Sequence, residues 1–191
     1  MNRSKQRGTA AETAVTRWVR VNGFPHADRQ PLRGNRDAGD IALAPGIVLE
    51  VKSHALAATG QPAPGQLALW MAQAEAERLN AGAAHCPLVV RRAGTTDVGR
   101  WWAYLTAGTF ASLVGAPEGG LRHPGLPVCL FVAHAVGLLR DGGYGQPIEQ
   151  DAPPDEPPKP VRRRVVSTDA LFDAEVAFRC FIQDHLSEAT R

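Results

Sequence analysis

Between Thr9 and Val21, in TAAETAVTRWVRV, apolar side chains recur at Ala11, Ala14, Val15, Trp18 and Val19. That is close to the i, i+3, i+4, i+7 spacing of an amphipathic helix. Thr9 is placed to cap its start, with Glu12 three residues on to complete a capping box, and Asn22-Gly23 ends it. Phe24 to Gln30 reads as an irregular strand, followed by the basic loop LRGNRDAG. The short runs GDIAL and IVLEVK, separated by a turn at Pro45-Gly46, predict a β-hairpin. Alternation in its second strand puts Ile47, Leu49 and Val51 on one side and Val48, Glu50 and Lys52 on the other.

After an Ala/Gly/Pro-rich loop from Ser53 to Gly65, a helix is expected over about Gln66 to Asn80, with Leu67, Trp70, Met71, Ala74 and Leu79 on one stripe. Pro87 to Arg91 and Arg100 to Leu105 read as two further strands joined by the turn-rich AGTTDVG. The order α-β-β-β-α-β-β over residues 1–110 predicts an α/β domain with a mixed central sheet flanked by helices. Residues 111–140 form an accessory segment to which the sequence assigns no definite structure. Within it, 116–127 is loop-like and 128–139 is an apolar run that suits strand or helix equally. An acidic, proline-rich linker follows over 141–165, ending in Arg162, Arg163 and Arg164, which suit a phosphate-binding arm or a plain linker end alike. Residues 166–191 hold an amphipathic helix with Leu171, Ala174, Phe178, Phe181 and Ile182 on one face.

A chain of 191 residues, 44% apolar and 21% charged, can bury one ordinary core. It has no run approaching the roughly 20 apolar residues of a membrane helix, and its start, MNRSKQRGTA, lacks a signal-peptide apolar region. A soluble cytoplasmic protein is expected, in the host cytoplasm if the chain is phage-encoded. Cys86, Cys129 and Cys180 stand far apart and the histidines are scattered, which argues against disulfides and structural zinc. The net charge of +2 hides an asymmetry: residues 1–52 carry nine Lys or Arg against five acids. Basic residues beside a few carboxylates suit a polyanion that bound cations must also approach, although surface solvation alone would produce the same count.

The chemistry suggested by Asp40, Glu50 and Lys52 is phosphodiester hydrolysis. That reaction needs a water made nucleophilic near neutral pH and positive charge set against the phosphate. Mg²⁺, or Mn²⁺ in its place, takes one or two protein carboxylates, with waters and substrate completing its shell. Asp40 opens the first hairpin strand, and Glu50 and Lys52 leave one face of the second. Placing an acid and a lysine within an apolar strand is costly unless they line a cleft or pair. In this reading Asp40 and Glu50 bind the metal with the Val51 carbonyl as a further ligand, and Lys52 orients or deprotonates the water. Asp37 competes with Asp40 as the ligand, although only Asp40 abuts the apolar run. The plainer readings are a turn-forming acid for Asp40 and a cross-strand ion pair for Glu50 and Lys52.

Gly-Asp40-Ile followed by Glu50-Val-Lys52, after a helix bearing Glu12 and ending in Gly23, resembles the archaeal-type Holliday junction resolvases of the PD-(D/E)XK nuclease superfamily. The similarity covers about Gly8 to Leu105. It implies a restriction-endonuclease-like core, Mg²⁺-dependent cleavage of branched DNA, a homodimer matching the two strands of a four-way junction, and a metal-site role for Glu12, whose plainer role is capping. It also implies a glutamine on the helix after the lysine strand, either Gln73 or Gln66. The 53–65 loop is longer than in that family, and the chain beyond residue 110 has no counterpart in its compact members. Arg7, Arg29, Arg33 and Arg36 are the expected phosphate contacts, with Gln73 facing DNA. Trp101 and Trp102 are expected to serve packing rather than base stacking, because adjacent strand residues face opposite sides and one of them must be buried. The competing functions are a restriction- or repair-type nuclease and a non-catalytic DNA-binding module, the latter disfavoured by an intact acid, acid and lysine set.

Overall fold

Helix α1 spans Arg3–Arg20 in the computed structural model, which describes residues 3–31, 38–53, 61–116 and 121–148. The helix begins a turn and a half before Thr9, so the expected capping box does not form. Thr9 and Glu12 lie inside the helix, and the Thr9 carbonyl accepts a hydrogen bond from Thr13 Oγ1 at 2.8 Å. RSKQRG is polar but mostly helix-compatible, and its apolar periodicity only starts later, which hid the true N-terminus.

Strand β1 is only Asp28–Arg29, β2 is Ile41–Ala44 and β3 is Ile47–Lys52; β2 and β3 form the expected antiparallel hairpin. Helix α2, Pro64–Ala81, carries the chain to β4, Leu88–Val90, which runs parallel to β3. A proline in its first turn opens α2 and a left-handed Gly82 (φ 61°) closes it. The strand expected from Arg100 begins at Trp102 instead. Asp97 accepts from the Gly99 N–H at 2.9 Å and starts a short 3₁₀ turn at Val98–Arg100, and β5, Trp102–Thr106, follows.

Helix α3, Ala107–Leu113, leads to β6, Pro127–Phe131, and α4, Val132–Asp141. The ambiguous apolar run is therefore both a strand and a helix. Val132, Ala135, Val136 and Leu139 are buried at i, i+3, i+4, i+7, while the five residues before them pair along β5. The accessory segment thus adds a strand and helices to the same sheet and core.

The sheet has six strands in the order β1-β2-β3-β4-β5-β6, antiparallel throughout except for β3 and β4, an α/β architecture with helices on both faces. One face, with Ile41, Leu43, Ile47, Leu49, Val51, Val89, Trp101 and Ala103, packs on α1 and α4. The other, with Leu88, Val90 and Tyr104, packs on Trp70 and Ala74 of α2. Leu79, expected on the buried stripe of α2, is 63% exposed; the third buried position of that helix is the acid Glu77. No described helix is long and apolar enough to cross a membrane.

Candidate active site

The β2–β3 hairpin places Asp40 beside the end of β3. Gly39 just before it has φ +91°, and a Cβ there would come within 3.2 Å of the Leu49 carbonyl, so the approach to Asp40 requires glycine. The Asp40 N–H donates to the Leu49 carbonyl (2.9 Å), and the Asp40 carbonyl accepts from the Gln30 N–H (2.8 Å). Its side-chain Oδ2 accepts from the Val51 N–H at 2.8 Å. The carboxylate is thereby locked on the β2 side of β3. Glu50 N–H and the Lys52 carbonyl bond toward β4, so by alternation the Val51 carbonyl also leaves the strand on Asp40's side.

Because Leu49 and Val51 fill the α1 core, Glu50 and Lys52 face α2. Glu50 is 3% exposed and is held there by partners. Lys52 Nζ pairs with Glu50 Oε1 and donates to Gln73 Oε1 at 2.8 Å. Gln73 Nε2 donates to Glu77 Oε1 (2.8 Å) and reaches Glu50 Oε1 at 3.3 Å. Of the two glutamines expected on this helix, Gln73 is the one at the site. Glu77, missed in the sequence, had one available signal: an acid spaced from Trp70 and Ala74 as the next residue of a buried helical face.

Four carboxyl groups crowd this end of the sheet. Burial pushes the Asp40 carboxyl up to about 7, with the Glu50 and Glu12 charges adding to it and the Val51 N–H opposing. Burial also raises Glu50, reinforced by the neighbouring Glu77 carboxyl and partly offset by Lys52. The second Glu77 oxygen is buried and has no partner among the described residues. Cys86 lies close to these acids, and burial together with their charge keeps its thiol protonated.

Acids crowded at the cost of their own ionisation are a donor set that a hard divalent cation would relieve, and two carboxylates suffice for Mg²⁺. Asp40 and Glu50, with the Val51 carbonyl, fit that requirement. As placed, the acids turn to hydrogen-bond partners, and among the described residues no three His, Cys, Asp or Glu side chains are grouped to hold an ion. Glu12 is near enough for its charge to act on Asp40, but its Oε2 is paired with Arg29.

Arg29, expected on a DNA phosphate, is thus engaged by Glu12. Arg7 is exposed on α1 and borders a shallow depression with Gln6, Ala10 and Arg91. Arg33, Arg36 and the alternative ligand Asp37 lie outside the described residues, as do Arg162 to Arg164 and the C-terminal helix. Trp101 is buried on the α1 face, and Trp102 is half-buried on the α2 face. An apolar cavity of about 950 Å³ between α2 and the β5–β6 region, lined by Leu67, Met71, Tyr104 and Pro127, contains none of these four acids. No protein-family model, curated protein or solved structure matches the chain.

Proposed function

We propose that this protein is a Mg²⁺-dependent DNA endonuclease with a restriction-endonuclease-like core, acting as a homodimer on branched DNA, with the four-way junction as its leading substrate. The observation that carries the reading is the meeting, at one end of β3, of a locked Asp40, a buried Glu50 and a Lys52 anchored by both Glu50 and Gln73. Mn²⁺ would serve in place of Mg²⁺.

Asp40 and Glu50 would hold the cation, with Glu12 reaching it once released from Arg29. When bound, the ion supplies charge against the phosphate and lowers the pKa of a coordinated water. Lys52 has three N–H donors, of which Glu50 and Gln73 take two among the described residues. The third is available to orient a water or to steady negative charge gathering on a phosphate oxygen. Gln73 keeps the ammonium in place because its amide nitrogen is engaged by Glu77 and its oxygen is therefore turned to Lys52. Arg29, if exchanged from Glu12 to the substrate, and Arg7 would contact phosphates flanking the cut.

The test uses the full chain with four-way junction, linear duplex and single-stranded DNA of matched sequence, in Mg²⁺ or in chelator. Metal-dependent cutting of the junction, lost in a folded Glu50→Ala variant, is the expected result. Binding without cleavage would replace the enzyme by a DNA-binding module, and equal cutting of all three substrates would remove the junction preference.

A further inference from the structure

The strand register carries the site farther across the sheet than the acids do. Lys52 pairs with Val90, Val90 with Trp102, and Trp102 with Phe131. Directly paired residues project from the same face, so these four side chains form one row on the α2 side. At strand spacings of about 4.8 Å, Trp102 stands roughly 10 Å and Phe131 roughly 14 Å from the Lys52 position.

The far half of that row differs from ordinary core. The Trp102 and Phe131 rings stack at 5.3 Å between centroids with 18° between planes. The Arg92 guanidinium lies over both, 4.5 Å from the Trp102 ring and 5.5 Å from that of Phe131. Neighbouring Trp101 is 3% exposed within the core, whereas Trp102 and Phe131 are only half-buried, and Phe131 packs into neither buried cluster. His134, exposed on α4, sits 5.7 Å from the Phe131 ring. On the opposite face Arg91 stands over Trp101 at 5.8 Å. Both sides of this end of β4 therefore present an arginine, in line with the lysine of the proposed catalytic site.

Stacked rings beneath a guanidinium suit a planar, electron-rich group attached to an anion. A nucleobase in a paired helix hides its faces within the stack, and an unpaired base offers them. We propose that Trp102, Phe131 and Arg92 form a platform for an unpaired base of the strand whose phosphate lies at Asp40, Glu50 and Lys52. The inference rests on the nuclease reading and narrows its substrate to DNA opened beside the cut, as at a branch point or a single-stranded flank. The base stacks against the aromatic pair and Arg92, and Arg91 contacts the backbone. Val90, between Trp102 and Lys52 in the row, is buried beneath α2, so the strand passes over the end of β4 to reach Lys52.

Binding in chelator by the full chain, read by anisotropy of labelled single-stranded and blunt duplex oligonucleotides of the same sequence, tests the platform. Phe131→Leu and Arg92→Gln are each expected to weaken single-strand binding roughly tenfold, within the range that base stacking supports. Duplex affinity should change less than about twofold, and Phe131→Tyr should restore single-strand binding. Arg92 is half-buried on the segment after β4 and outside both buried clusters, so Arg92→Gln keeps the test valid if Phe131→Leu fails to fold. No loss in Arg92→Gln, or equal losses on single strand and duplex, would overturn the platform. Cleavage in Mg²⁺ is scored separately. If wild type cuts and the variants bind single strands unchanged, the platform alone fails. If selective single-strand binding is lost as expected but no DNA is cut in Mg²⁺, the platform stands as a binding surface and the nuclease reading fails.

Discussion

Asp40→Asn is expected to stabilise the metal-free protein near pH 8 while abolishing cleavage. The Asp40 carboxyl, pushed from 3.8 up to about 7, is held in the fold preferentially as its protonated form. For an acid raised in this way, the folded state carries no ionisation penalty below its unfolded pKa of about 4. The penalty grows as pH rises and is complete above about 7. Three pKa units at about 1.4 kcal/mol each set an upper bound of about 4 kcal/mol. Asp40 keeps some contact with solvent, and its acidic neighbours titrate with it, so roughly 2 kcal/mol is the expected size. Asparagine has the same shape, and its oxygen can still accept the Val51 N–H, but it carries no charge to bury. Urea denaturation followed by far-UV circular dichroism, in chelator, should find the variant roughly 1–3 kcal/mol more stable than wild type near pH 8, with the difference nearly gone near pH 4. Added Mg²⁺ should stabilise wild type more than the variant, because the ion binds the folded carboxylates. A variant less stable than wild type by the same amount at both pH values would show that the Asp40 charge is not under strain, and would remove the electrostatic argument for a cation there.

Gly39→Ala should cost roughly 1–2 kcal/mol through its left-handed backbone alone, more with the close Leu49 carbonyl, and should lower cleavage by moving Asp40; a thermal melt unchanged from wild type would contradict this. Glu77→Gln should slow metal-dependent cleavage about tenfold with DNA affinity unchanged. An amide at 77 can donate or accept, so it no longer dictates which end of Gln73 faces Lys52. Single-turnover rates equal to wild type would show that Gln73 is oriented without Glu77.

Local order was readable wherever one periodicity ran unbroken. The β2–β3 hairpin and the α2 helix after it stand close to where their patterns put them, and the helix before them ends where expected. The alternation of IVLEVK correctly separated Glu50 and Lys52 from Leu49 and Val51. Errors arose where a pattern changed inside a run. Pro127–Phe131 is an unbroken apolar strand and the helix after it buries residues with period 3.6, and joined without a polar break they looked like one ambiguous segment. Thr9 and Glu12 matched a capping box, but local signals do not reveal that six polar residues before them also continue the helix.

The sequence by itself determined which residues could share a face, because side-chain direction along a strand or helix follows from backbone geometry alone. It placed Asp40, Glu50 and Lys52 on one hairpin and left Gln73 and Gln66 open. Only the tertiary structure decided what those faces meet. The parallel pairing of β3 with β4 sets α2 over Glu50, which selects Gln73 and turns the buried Glu77, on the same helical face as Trp70 and Ala74, toward the site. The same pairing, extended through β5 to β6, aligns Lys52 with Trp102 and Phe131 across 79 positions of chain, from residue 52 to residue 131. Contacts of that span depend on strand order and register, which are settled by the packing of the whole core and are encoded in no single segment.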